Sequence, residues 1–135
     1  MRIVLDTNVF ISGVFFAGPP SQILTAWREG VVTLVISPEI LAEYQRVAEA
    51  LMKRFPNINV DAILALLPIH ADVVLAKELP NPVSEDPDDD KFLACAVASQ
   101  TGVVVSGDKH LLRVSGYRGI EVLKPRTFIE RYLQD

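Results

Sequence analysis

The sequence has few of the residues that build disulfide frameworks and zinc sites. Its 135 residues include one cysteine, Cys95, and two histidines, His70 and His110. A single cysteine cannot form an internal disulfide, and this set is too small for a zinc site of the cysteine–histidine type. A disulfide-rich scaffold and a structural zinc domain are therefore excluded.

Long apolar runs and a strong excess of one charge are also missing. No run approaches the ~18 apolar residues of a membrane-spanning helix, and no apolar core of a signal peptide follows Met1. The formal net charge is −4. This charge excludes an evenly basic nucleic-acid binder but leaves room for a local basic patch. We expect a cytoplasmic protein with no membrane partner.

Half of the residues are hydrophobic, and the length is that of one ordinary domain, predicted to span residues 1–135. Short β-branched runs alternate with helical patterns, which is typical of a parallel sheet covered on both faces. We therefore predict an α/β fold without internal repeats. Strands are predicted at 3–5, 31–36, 72–75, 103–105 and 121–123, helices at 37–55, 60–67, 88–100 and from Pro125 onward, and a proline-rich loop at 79–87.

Acidic residues fall at informative points of this pattern. Asp6 and Asp108 follow two predicted strands, and ligands of open parallel sheets bind at the carboxyl ends of strands. Glu43 flanks the apolar stripe of its helix, and Asp90 lies in the first turn of another helix, beside the buried face. The four carboxylates of Asp6, Glu43, Asp90 and Asp108 are thus predicted to converge.

Such a convergence needs compensation. Two unit charges ~4 Å apart repel by about 4 kcal/mol at an effective dielectric constant of ~20. The group must take up protons, spread apart or bind cations, and ligands that are all oxygen suit Mg²⁺ or Mn²⁺. A metal-activated water can hydrolyse a phosphodiester. Each acid alone also has a structural explanation, as a helix cap, as a partner of an arginine or as a complement to a helix dipole.

Four segments, taken in order, resemble the PIN domain: D-T-N at 6–8, S-P-E-x-x-x-E at 37–43, D-D-D followed by K-F-L-A at 88–94, and S-G-D at 106–108. The segments DTNVFISGVF and DPDDDKFLACA resemble the VapC-type toxin branch of that family. The resemblance implies an α/β/α sandwich and a Mg²⁺- or Mn²⁺-dependent ribonuclease. It also implies a small antitoxin as partner and a homodimer. The implied site has Asp6, Glu43, Asp90 and Asp108 as ligands, Asp89 as second choice for Asp90, and Asn8 and Ser106 as supporting groups.

A basic segment could hold the RNA substrate beside these acids. Residues 109–131 contain six lysines and arginines against two glutamates. Lys109, His110 and Arg113 are predicted to form a phosphate-binding rim, with ordinary solvated surface as the alternative. Phe15 and Phe16, in a predicted loop, could stack on bases, although core packing or a dimer contact also explains them.

The predicted function is an RNA endonuclease that is the toxin component of a type II toxin–antitoxin system. One alternative is a catalytically silent PIN-like module that binds RNA or a protein. Another is a phosphatase of small molecules, but the D-x-D that such enzymes carry after the first strand is absent, because Asn8 takes the place of the second acid.

Overall fold

A computed structural model of the protein describes residues 1–133. In this range one parallel sheet is flanked by seven helices. A 3₁₀ turn, Pro87–Asp89, precedes α5, and a π-helical turn, Ile129–Leu133, continues α7. The strands are β1 (Arg2–Leu5), β2 (Thr33–Ile36), β3 (Asp72–Val73), β4 (Val103–Val105) and β5 (Glu121–Leu123), and the helices are α1 (Thr7–Phe15), α2 (Pro19–Arg28), α3 (Pro38–Met52), α4 (Val60–His70), α5 (Asp90–Ser99), α6 (Lys109–Leu112) and α7 (Pro125–Phe128).

The order of strands creates a switch point at the centre of the sheet. The order is β3-β2-β1-β4-β5, and every pair is parallel. After β1 the chain builds one half of the sheet outward through β2 and β3, and it then returns to the other side of β1 for β4. Leu5 lies opposite Val105, so β1 and β4 end at the same level. Ligands of such sheets bind at the carboxyl edge beside the switch point.

The central strands are buried on both faces. Ile3, Val4 and Leu5 of β1 are at most 1% exposed, as are Val104 and Val105 of β4. This is the environment that short, continuous apolar strands predict. Helix α5 packs against β1, β2 and β4. The predicted three-layer α/β/α sandwich is therefore confirmed.

The region between β1 and β2 differs from the prediction. Sequence patterning assigned no helix there and left Phe15 and Phe16 in a loop, but α1 and α2 form a helical hairpin. The apolar run of α1 hides its helical period, because Val9, Phe10 and Ile11 are all buried. Pro19 and Pro20, which suggest a loop, occupy the first turn of α2. Backbone amides in the first turn of a helix have no partner within the helix, so the missing N–H of proline costs no hydrogen bond there.

Close packing of α1 on α2 depends on Gly13, since a Cβ there would lie 2.8 Å from the Leu24 side chain and from the Pro20 carbonyl oxygen. Within residues 1–133, no single helix is both long and apolar enough to cross a membrane. The bent pair α1 and α2 meets that measure only when its two helices are taken together.

Two strands are shorter than predicted. The amides of Val31 and Val32 both donate to the Ala26 carbonyl at the end of α2, so β2 begins only at Thr33. Strand β3 keeps two residues of the predicted 72–75. The predicted helix 88–100 is divided into the 3₁₀ turn and α5. This division places Asp88 and Asp89 in the 3₁₀ turn and Asp90 in the first turn of α5.

Candidate metal centre

Asp6 lies at the carboxyl end of β1, next to the switch point, and is 4% exposed. Its Oδ1 accepts a hydrogen bond of 2.8 Å from the Val9 amide, so it also caps α1. Burial raises the pKa of Asp6 to about 6. The hydrogen bonds from Ser106 and Val9 oppose this shift, and the charges of Asp108 and Glu43 add to it. A carboxylate kept at this position carries an electrostatic cost, which a cation would relieve.

Ser106 connects Asp6 to Asp108. Ser106 is fully buried at the end of β4, and its hydroxyl donates to Asp6 Oδ2. Ser106 Oγ also accepts a hydrogen bond from the Asp108 amide at 3.0 Å. Asp108 Oδ1 in turn accepts from the His110 amide at 2.7 Å and caps α6. The two predicted strand-end acids therefore lie in one hydrogen-bonded unit, with Ser106 at its centre.

Asp89 joins these residues from the 3₁₀ turn. Burial raises its pKa to about 7, and the charges of Asp108, Asp86 and Asp6 together with a hydrogen bond to Asp108 add to the shift. Its Oδ2 is buried and has no hydrogen-bond partner within residues 1–133. A buried carboxylate oxygen without a donor is rare in a native fold and needs an explanation.

Asp90, the ligand favoured by spacing, contacts the backbone of the proline-rich segment. Its Oδ1 accepts from the Ser84 amide at 2.8 Å, and its Oδ2 accepts from the Val83 amide at 3.1 Å. Both oxygens thus hold the proline-rich segment against the start of α5. The structure brings Asp89 rather than Asp90 next to Asp108.

Glu43 lies on the second turn of α3, a helix that begins where Ser37 Oγ accepts from the Ile40 amide. Its carboxylate accepts from the Thr7 hydroxyl and from Lys91 Nζ. Partial burial acts to raise the pKa of Glu43, but the hydrogen bonds from Lys91 and Thr7 and the charge of Lys91 outweigh it and hold the pKa below its ordinary value. The predicted glutamate therefore has a protein cation as its partner.

The predicted rim lies on α6 beside Asp108. Lys109 and Arg113 are exposed, and Arg113 forms an ion pair of 3.2 Å with Glu85. The ring of His110 is 3.5 Å from Asp108 Oδ1 through Nδ1 and 3.6 Å from Glu85 Oε2 through Nε2. His110 therefore belongs to the acidic group as much as to a basic rim.

Asn8, predicted as a supporting group, is exposed in the first turn of α1. Of the aromatic pair, Phe15 is buried, whereas Phe16 is 52% exposed and contacts the Phe55 ring edge-on. The core-packing explanation holds for Phe15. Trp27 and Tyr44 are both in the core, where Trp27 Nε1 donates to the His70 carbonyl and Tyr44 to the Leu5 carbonyl.

These donors fit a hard divalent cation. Asp89, Asp108 and His110 each offer one ligand atom, and these atoms lie within 4.8 Å of one another. Two of the three are carboxylates, the ligand type of Mg²⁺ and Mn²⁺, and the partnerless Asp89 oxygen is free of competing donors in the described range. The group can therefore hold a cation at the carboxyl edge.

Two residues of this site were not predicted from the sequence. Thr7 was noted only as part of D-T-N, and Lys91 as the residue after the acidic run. The signal for Lys91 is its position: a single cation directly follows three aspartates and precedes buried Phe92. A lysine at such a position either extends into solvent or pairs with an acid, and Lys91 pairs with Glu43.

The structure is a three-layer α/β/α sandwich around a parallel sheet, with carboxylates gathered at the switch point. The sequence model of the PIN domain matches residues 2–110, which is most of the chain. The chain therefore belongs to the PIN domain family. PIN domains are generally nucleases, typically bind nucleic acids and usually use divalent metals. No curated protein sequence matches the chain.

Proposed function

We propose that this protein is a Mg²⁺- or Mn²⁺-dependent endoribonuclease. The observation that carries the proposal is geometric: Ser106 hydrogen-bonds to Asp6 and to the Asp108 amide, and a ligand atom of Asp89 lies within 4.8 Å of one of Asp108. The charge of Asp108 raises the pKa of both Asp6 and Asp89. Carboxylates whose pKa values are raised by burial and by neighbouring charges are typical of functional sites. The PIN family membership supports the same chemistry.

We propose Asp6, Asp89 and Asp108 as ligands on one side and Glu43 on the other. A bound Mg²⁺ or Mn²⁺ would lower the pKa of a coordinated water and neutralise charge on the phosphate. Asp90, on this proposal, is a positioning residue that holds the segment 83–84. His110 either completes the ligand set or donates to the substrate.

The protein's own side chains set up this chemistry. Ser106 and the Val9 amide hold both oxygens of Asp6, so its orientation is fixed before a cation binds. Lys109 is exposed beside Asp108 and can contact the phosphate backbone of RNA.

We further propose that the protein is a VapC-type toxin that acts in the cytoplasm, pairs with a small antitoxin and forms a homodimer. The resemblance of the segments at 6–15 and 86–96 supports this proposal. Exposed apolar side chains, such as Phe16 at 52% and Leu75 at 84%, give a protein partner something to cover. A short antitoxin-like reading frame beside the gene would support the toxin assignment, and light scattering of the purified chain would test the dimer.

The nuclease proposal is tested with single-stranded RNA, Mn²⁺ and EDTA. Wild type should cleave in Mn²⁺ and stop in EDTA, and Asp6→Asn should remain inactive in Mn²⁺. Asp61→Asn, on an exposed position of α4, is the matched control and should cleave like wild type. Equal cleavage by wild type and Asp6→Asn, or cleavage that ignores EDTA, would show that these acids do not perform the reaction.

One observation favours a second candidate, a PIN module that binds RNA without cutting it. Lys91 already neutralises Glu43, which leaves one proposed ligand with a protein cation. On this reading the protein would bind RNA equally well in Mn²⁺ and EDTA and leave it intact. The cleavage assay, combined with a binding measurement in EDTA, separates the two candidates.

A further inference from the structure

A cavity of about 470 Å³ lies beside the acidic site. It is bounded by the segment 76–82, by Glu39 near the start of α3, and by Pro87 and the first residues of α5. Its volume falls within the ~300–1,000 Å³ of ordinary small-ligand sites and is ample for one nucleotide base with its sugar.

The cavity and the acidic site share a wall. Lys91 lines the cavity, while its Nζ donates to Glu43 on the other side. Asp90 also lines the cavity, and its neighbour Asp89 faces Asp108. A molecule that fills the cavity therefore lies directly beside the proposed reaction centre, and one connected to it by a short covalent link would reach that centre.

The lining suits a flat ring with a polar edge. Ala76, Leu79 and Pro82 supply apolar surface on one side, and Ala94 supplies it from α5. Because the Asp90 carboxylate is taken up by the backbone amides of Val83 and Ser84, the polar groups left to read a ligand include the Glu39 carboxylate and the Asn81 amide. Unstacked bases of single-stranded RNA are recognised by hydrogen bonds along their edges, and here aliphatic side chains would pack against the ring.

We propose that this cavity binds one base of the RNA substrate, adjacent to the cleaved phosphate, and favours a base with an amino group over uracil. The inference rests on the proposed nuclease function and adds a specificity site to it. Glu39 carries the preference: a carboxylate accepts a hydrogen bond from an exocyclic amino group of cytosine, adenine or guanine. Uracil lacks an amino group, and its one edge donor, N3–H, lies between two carbonyl oxygens that repel the carboxylate. Lys91 marks the boundary between base and phosphate.

Binding is tested without cleavage, by nuclear magnetic resonance in EDTA. The full-length protein is titrated separately with the 5′-monophosphates of cytidine, adenosine, guanosine and uridine. Shifts should cluster at the amides of Ala76, Asn81 and Ala94, and uridine monophosphate should bind about tenfold more weakly than at least one of the others. No shifts at these amides, or equal affinity for all four, would overturn the proposal.

Two substitutions assign the effect to the cavity. Ala76→Trp should fill the space and abolish the shifts, while Ala50→Trp on the exposed face of α3 should leave them. Glu39→Gln should remove most of the discrimination, because an amide both donates and accepts, and Glu49→Gln on the same helix should preserve it. Glu39 is exposed, so its substitution tests the idea even if Ala76→Trp does not fold.

Cleavage of a randomised RNA in Mn²⁺, read by sequencing, gives the second arm. Uracil should be depleted about tenfold at one fixed position flanking the cut in wild type and Glu49→Gln, but not in Glu39→Gln. Cleavage without any base preference would overturn the cavity proposal and leave the nuclease standing. Base-selective binding without cleavage would leave the cavity as a base site and reject the nuclease.

Discussion

The carboxylates on the two sides of the candidate site have pKa values that are shifted in opposite directions. On the side of β1 and β4, Asp6 and Asp89 have raised pKa values, about 6 and about 7, with burial as the main cause and neighbouring aspartates adding to it. On the side of α3, burial acts on Glu43 in the same direction, but Lys91 and Thr7 reverse the outcome and lower its pKa.

This difference indicates where a cation would gain most. The aspartate side has no lysine or arginine among the groups that shift the pKa values of Asp6 and Asp89, so an incoming dication relieves repulsion there without displacing a lysine or arginine. At Glu43 a cation must compete with Lys91, which already donates to the carboxylate. We therefore infer that Asp6, Asp89 and Asp108 bind metal first, and that Glu43 joins only when Lys91 moves.

Substitution of Asp89 should produce the largest effect, because it removes a proposed ligand from the aspartate side. Asp89→Asn keeps the shape of the side chain and should lower the cleavage rate in Mn²⁺ by at least about a hundredfold, the upper range seen when even the partners of metal ligands are changed. The measurement is the initial rate on single-stranded RNA at saturating Mn²⁺. Asp88→Asn, one residue earlier and exposed, is the matched control and should cleave like wild type.

The same series also compares Asp89 with Asp90. If Asp90→Asn lowers activity as much as Asp89→Asn while its fold stays intact, the spacing-based assignment of Asp90 as ligand is right and the geometric one is not. If neither has an effect, the aspartate side is not where the reaction occurs.

The one-residue difference between these assignments shows where sequence reasoning reaches its limit. The apolar strands and the acids within three residues of their ends were predictable, because the residues that follow a strand in a parallel sheet lie at its carboxyl edge. Asp6 and Asp108 needed no more than that. Asp89 and Asp90 depend on the pitch of the chain between Pro87 and α5, where a 3₁₀ turn capped by Asp86 precedes the α-helix. A helical periodicity does not reveal such a change of pitch.

Helix α2, whose Gln22, Thr25 and Arg28 are exposed, was missed because its first two residues are prolines, which suggest a loop. Helix α1 was missed for a different reason. A helix that is buried on most sides has no polar stripe, so period-based reasoning finds only a hydrophobic run. The capping role of Asp6 was one of the explanations considered for that residue, and it holds together with the convergence on Asp108. The position of Lys91 after three aspartates is a local signal, but its partner Glu43 lies 48 positions away, and no local pattern identifies that partner.

The second prediction concerns pH and the metal-free protein. Because the folded state raises the pKa of Asp6 from 3.8 to about 6, it holds a proton that the unfolded chain has already released in this interval. The stability of metal-free wild type should therefore fall as pH rises through this range, by up to about 3 kcal/mol from Asp6. Asp6→Asn lacks this loss, and its amide can serve both Ser106 and Val9.

Urea denaturation in EDTA across this range measures the effect. Asp6→Asn should be more stable than wild type at about pH 8, by on the order of 1–3 kcal/mol, and similar to it near pH 4. Adding Mn²⁺ at about pH 8 should stabilise wild type far more than the variant. A difference in unfolding free energy between the two proteins that is the same at every pH would show that folding does not raise the pKa of Asp6.

The third prediction concerns the anchoring of the proline-rich segment. In Asp90→Asn one backbone amide of the pair Val83 and Ser84 would face an amide group instead of a carboxylate oxygen. We expect the free energy of unfolding to fall by about 1–2 kcal/mol, as for a lost hydrogen bond to a charged acceptor. Asp88→Asn, measured by the same urea denaturation, should change it little. An unchanged stability in Asp90→Asn would show that this anchor is dispensable.

The smallest expected effect comes from a substitution that makes Glu43 resemble the aspartates, with no lysine as its partner. Lys91→Met removes the cation from Glu43, so burial should then dominate and raise the pKa of that carboxylate. With its competitor gone, Glu43 should bind metal more readily, and the affinity for Mn²⁺ measured by calorimetry should rise about two- to fivefold, in line with the ~0.2–1 kcal/mol of a partly exposed ion pair. Arg46→Met is the control, because the Arg46 side chain is 75% exposed and lies 3.6 Å from Glu43. Weaker Mn²⁺ binding by Lys91→Met would reverse the inference: Lys91 would then hold Glu43 in place for the metal, and the contrast between the two sides would describe cooperation and not competition.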